Sequence, residues 1–125
     1  MQHIPTGKHR SFFKVLAATS SAEAAIMTLR PGQSTSARNE NEHPRCEQWL
    51  FVISGAGRAT VGNSRVAIKA NSLLLIEKGE PHRITNTGKK PLVTLNFYAP
   101  PAYTRSGDLK LLARVPTIGT LFRGK

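Results

Sequence analysis

His43, Glu47 and Gln48 stand close together in the stretch NENEHPRCEQWLFVISGAG, residues 39–57. An imidazole, a carboxylate and an amide oxygen are nitrogen and oxygen donors of the kind that hold divalent metals. The stretch has one histidine where a metal site would be expected to have two, and either Glu47 or Gln48 could complete a ligand set beside it. A second histidine, His82, lies in GEPHRITN, residues 79–86. Arg38, Arg45 and Arg83 flank these two stretches. A guanidinium can grip a carboxylate or phosphate with two parallel hydrogen bonds, although an arginine on a surface is equally at home in water. Cys46 reads as a buried or half-buried thiol rather than a nucleophile, and no Ser/His/Asp arrangement is visible.

These residues need a scaffold, and the chain reads as short strands separated by turns. AEAAIMTLRPG (22–32) is a strand closed by Pro31-Gly32, and EQWLFVISG (47–55) is a strongly apolar strand. GRATVGNSRVAIKANS (57–72) alternates as a hairpin with its turn at Gly62-Asn63-Ser64. SLLLIEKGEP (72–81) is a strand running into a glycine turn. HRITNTGKKPLVTLNFYAPP (82–101) reads as another hairpin, turning at Gly88 and stopping at Pro100-Pro101, so that YAPPAY marks the end of the last strand. Short strands at roughly ten-residue spacing imply an all-β sandwich or barrel. Alternation puts Gln48 on one face with Leu50 and Val52, and Glu47 on the other with Trp49, Phe51 and Ile53. A bulge at HPRC would instead turn Glu47 inward.

The two stretches resemble the paired motifs of the cupin superfamily, small RmlC-like jelly-roll or double-stranded β-helix proteins. The second motif is matched by Gly79, His82 and Asn86 at the family's spacing, with Asn71 where glycine is usual and Glu77 where proline is usual. The first motif ends as the family does, in an apolar strand and a closing glycine, Gly55. Six residues separate Gln48 from Gly55, and four residues separate it from His43. His43 then takes the place of the family's second histidine and Asn41 that of the first. The resemblance spans about residues 24–98 and implies a barrel over 1–100, with a C-terminal extension over 101–125. The ligand set it implies is Asn41, His43, Gln48 and His82, holding a divalent transition metal among which Ni, Zn, Fe, Mn and Cu are not distinguished. Two imidazoles and two amides leave such an ion without an anionic ligand, which would weaken binding and favour an anion in the open positions. Glu42 or Glu80 could orient a ligand histidine from behind.

Composition sets bounds on the rest. A chain of 125 residues suits one domain with one core, and it contains no apolar run long enough for a membrane-spanning helix. A single cysteine excludes an internal disulfide and suits a reducing cytoplasm; a secretory leader is not expected. The net charge of +11 is large, but Lys and Arg are scattered and aromatics are few. The expected partner is therefore an anionic small molecule rather than nucleic acid. Five of the seven acids, Glu40, Glu42, Glu47, Glu77 and Glu80, fall in two short windows that overlap the motifs. The tail could form a helical turn near Asp108, and Ile118, Leu121 and Phe122 should pack on the barrel or on a second subunit. Sheet edges and this tail predict a homodimer. The functional expectation is a metal-dependent isomerase, lyase or oxygenase acting on a polar, anionic substrate. The alternative is a non-catalytic, metal-poor ligand-binding or regulatory module.

Overall fold

The computed structural model describes residues 1–7, 11–36 and 44–104. Eight strands run in chain order: β1 (Phe13–Ala18), β2 (Glu23–Leu29), β3 (Glu47–Ser54), β4 (Ala56–Val61), β5 (Ser64–Lys69), β6 (Leu73–Ile76), β7 (His82–Thr85) and β8 (Leu92–Ala99). All pair antiparallel, in a five-stranded sheet ordered β1-β2-β8-β3-β6 and a three-stranded sheet ordered β5-β4-β7. No helix occurs among the described residues.

The inner faces of the two sheets close on one core. Met27, Leu29, Leu50, Val52, Ala59, Ile68, Ile84 and Leu92 form its main cluster. Burying each large aliphatic side chain contributes about 1.5–3 kcal/mol. Glycine lets the two sheets meet. Gly55 has φ +90°, and a Cβ there would strike the Pro91 carbonyl oxygen. The chain can therefore leave β3 for β4 at this contact only through glycine.

The expected strands recur with two corrections. The turn between β4 and β5 is two residues, Gly62-Asn63, because Val61 pairs directly with Ser64. Gly62 takes φ +56°, the left-handed conformation that a tight hairpin turn requires at its first central position. The segment 82–101 is not a hairpin. β7 pairs with β4, whereas β8 pairs with β2 and β3, so the two strands lie in different sheets. The buried Asn86 sits in the linker between them. Its Nδ2 donates to the carbonyls of Leu29 and Lys90, both at 2.8 Å, and its Oδ1 accepts from Gly88 N at 2.9 Å. The bond to Leu29 ties the linker to the end of β2, and the other two close the linker on itself.

A smaller cluster joins Ala25, Cys46, Tyr98 and Ala102, flanked by Phe13 and Tyr103. Tyr103 packs at a tilt against Phe13 with ring centroids 4.7 Å apart and meets Tyr98 edge-on at 5.0 Å. The buried Glu23 accepts from the backbone N–H groups of Ala102 (3.1 Å) and Tyr103 (2.8 Å). The chain beyond β8 is thereby fastened to β2. Residues 105–125, which include Asp108, Ile118, Leu121 and Phe122, lie outside the described residues.

Candidate metal centre

Gln48 and His82 occupy opposing inner faces. Gln48 precedes the core residue Leu50 by two positions on β3, and His82 precedes Ile84 by two on β7. With a side-chain period of two, each shares the face of its core neighbour. Both are buried, at 4% and 8% exposure. The chain enters β3 in the expected register: Glu47 is half-buried on the other face and accepts a hydrogen bond from Trp49 Nε1 at 2.7 Å. That contact ties the acid to an exposed tryptophan and away from Gln48.

His82 is held from behind. Its Nδ1 lies 3.0 Å from the Glu80 carbonyl oxygen, an atom that can only accept. The proton therefore sits on Nδ1, and Nε2 carries the lone pair. Burial pushes the imidazole below the usual histidine range, opposed by the Glu80 hydrogen bond and by the Glu80 charge. A neutral ring with one N–H tied to a carbonyl is the state in which histidine ligates metals. Glu80 thus supports His82 through its main chain. Its carboxylate faces elsewhere and accepts from Glu77 N at 2.8 Å.

Gln48 is also tied back, through residues that the sequence did not single out. Its Nε2 donates to Asn96 Oδ1 at 2.9 Å, and Asn96 Nδ2 reaches Thr94 Oγ1 at 3.0 Å. Asn96 and Thr94 are both fully buried. They escape a hydropathy reading because β8, LVTLNFYA, is apolar at Val93, Leu95 and Phe97. Simple alternation would turn those three inward and the polar residues to water. The structure does the reverse, and Phe97 is exposed on an apolar outer face.

The departures from the motif pattern have local explanations. Asn71, standing where glycine is usual, has φ 74°. Asparagine tolerates this left-handed region better than other residues that carry a Cβ. Glu77, standing where proline is usual, has a backbone N–H that proline lacks, and the Glu80 side chain satisfies it.

Among the remaining site candidates, Arg45 is exposed and Arg83 is half-buried on the face of β7 opposite His82. Arg38, Asn41, Glu42 and His43 lie outside the described residues. Among the described residues, no three His, Cys, Asp or Glu side chains group as a metal site. What the described residues do present is a pair of neutral, pre-oriented donors, His82 and Gln48, which fits part of a nitrogen and oxygen ligand set. A cavity of about 590 Å³ lies elsewhere, lined by Ile26, Thr28, Arg30, Ile53, Lys90 and Val93 among others.

Comparison with known proteins agrees with this architecture. The family described as Cupin domain matches residues 25–98. The Streptomyces glaucescens tetracenomycin polyketide synthase protein TcmJ is 32% identical over 63 residues, covering 50% of this chain and 40% of that protein. The chain thus spans less than half of that relative. The crystal structure of BH2720 from Bacillus halodurans superimposes with a TM-score of 0.73 at 25% identity, covering 82% of this chain and 79% of that one. An RmlC-like cupin protein from Desulfovibrio desulfuricans gives 0.66 at 17% identity, covering 81% and 98% respectively. With two antiparallel sheets folded into a jelly roll and both motif segments inside the matched region, the chain belongs to the cupin family.

Proposed function

We propose that the protein is a small cupin that holds a divalent transition metal through His43, Gln48 and His82, with Asn41 as a fourth ligand, and takes a polar, anionic small molecule beside it. The observation that carries this reading is the matched preparation of Gln48 and His82. Both are buried on opposing inner faces, and each has its donor end tied to an acceptor behind it. When bound, a divalent ion supplies Lewis acidity that polarises a carbonyl or enolate oxygen, which suits isomerase, lyase or oxygenase chemistry. The protein's own part is to hold His82 neutral, to present lone pairs and to exclude water from the interior. The net charge of +11 draws anions toward the site. Arg83 faces outward, so a direct arginine contact would come from Arg38 or Arg45, which flank the first motif. The lone, buried Cys46 fits a reducing compartment, the cytoplasm.

Metal analysis of protein purified without an affinity tag tests the assignment. About one divalent ion per chain is expected, with loss in His82→Ala. Sub-stoichiometric metal that is unchanged in His82→Ala would overturn it. A second reading, a metal-poor ligand-binding or regulatory module, is favoured by the lack, among the described residues, of any group of three His, Cys, Asp or Glu side chains that could hold a metal. It expects the metal-free protein to bind a small anion with unchanged affinity after metal is added.

A further inference from the structure

A primary amide has one end that only accepts and one that only donates, and the end that faces a cation decides whether it can bind one. Around Gln48 the choice is fixed by a chain of neighbours. The Thr94 carbonyl is an obligate acceptor, 3.4 Å from Asn96 Nδ2, while the Thr94 hydroxyl lies 3.0 Å from the same nitrogen. Turning the Asn96 amide over would set its oxygen against that carbonyl. Asn96 Oδ1 is therefore the end that meets Gln48, and it takes a hydrogen bond from Gln48 Nε2 at 2.9 Å. Turning Gln48 over would in turn set oxygen against oxygen. All three side chains are buried, so water is not at hand to stand in for a mismatched partner.

The geometry points to Asn96 and Thr94 as positioning residues that hold the Gln48 amide with its nitrogen backward and its oxygen turned from the network, making Gln48 an oxygen ligand for a divalent cation. The consequence for metal binding rests on the metal reading above; the orientation itself does not. The relay also gives β8 a part in the site, although β8 carries no motif residue that faces a ligand. Its inward polar pair lies between β2 and β3 in the centre of the larger sheet, where backbone pairing on both sides fixes its position.

Two variants of one residue separate positioning from packing. Asn96→Asp keeps an acceptor facing Gln48 Nε2, whereas Asn96→Leu removes it at similar volume. In the metal-free full chain, nitrogen–proton NMR should show the Gln48 side-chain amide protons exchanging slowly with water. That protection should persist in Asn96→Asp and be lost in Asn96→Leu. Exchange at the rate of a free amide in the wild type, or protection untouched by Asn96→Leu, would overturn the orientation. Equilibrium dialysis with Mn²⁺ and with Zn²⁺ reads the consequence. Asn96→Leu should weaken binding about 10- to 100-fold, the usual effect of removing a group that orients a ligand. Asn96→Asp should bind more tightly than Asn96→Leu, since an acceptor still faces Gln48 Nε2. In a Gln48→Leu background, Asn96→Leu should have no further effect, and an equal loss there would overturn the positioning role. If the wild type binds neither ion while the NMR pattern holds, the metal reading fails and the orientation stands.

Discussion

His82 and Gln48 are both buried, and each has one N–H end tied to an acceptor. For His82 the acceptor is the Glu80 carbonyl, and for Gln48 it is Asn96. The buried imidazole has a measurable consequence. Its pKa is lowered in the folded protein, so on acidification the unfolded chain takes up this proton first. Stability contributed at neutral pH is therefore lost as pH falls through about 6.5, the unfolded value, and the loss levels off below the folded pKa. Urea midpoints measured between pH 8 and pH 5 should fall for the wild type. They should fall less for His82→Gln, which keeps a polar side chain but cannot titrate. The inward face of Gln48 was legible in the sequence from the alternation along β3. Asn96 and Thr94 were not, because their strand is apolar on its outward face, and hydropathy alone assigns that pattern the wrong way round.

At the scale of elements, two glycines of similar conformation should respond differently to substitution. Gly55 and Gly79 both have positive φ, but a Cβ at Gly55 would strike the Pro91 carbonyl and a Cβ at Gly79 would meet open space. Gly79→Ala should cost about 1–2 kcal/mol for its backbone alone. Gly55→Ala should cost more, about 3 kcal/mol or above, since the clash adds to the strain. Chemical denaturation of the two variants checks the order. Glu23 offers a second test at this scale. Glu23→Ala leaves the Ala102 and Tyr103 N–H groups without their acceptor and should cost about 1–3 kcal/mol for each one left buried, whereas Glu23→Gln keeps an oxygen and should cost less. The strands themselves were readable from alternation and turn residues. The connection from β7 to β8 was not. Gly88 looks like a hairpin turn, but β8 pairs with β2 and β3, and the long-range bond of Asn86 to Leu29 ties the linker to that sheet.

The whole molecule leaves one side of its larger sheet apolar. Trp49, Leu73, Leu75 and Phe97 are all exposed on β3, β6 and β8. Cross-strand pairing sets Trp49 between Leu75 and Phe97, so three of them form a continuous patch. Large exposed apolar patches mark contact surfaces, and we expect this one to join two copies of the chain. Light scattering at micromolar concentration should give the mass of a dimer, and Leu75→Lys should shift it toward that of a monomer. A wild-type monomer would rule this out. The fold was the most legible level of all, because short strands at roughly ten-residue spacing and two spaced motifs leave few architectures to choose from, although β1 was not singled out. The candidate site was less so, because the orientation of each side chain depends on neighbours remote in sequence.

The central claim is that His82 and Gln48 face a common metal. It is tested most directly by a crystal of the full chain soaked in Zn²⁺, with anomalous data collected at the zinc absorption edge. A single strong peak is expected, about 2.0–2.2 Å from both His82 Nε2 and Gln48 Oε1. No peak in the barrel, or one that meets the Gln48 nitrogen end or neither side chain, would contradict it.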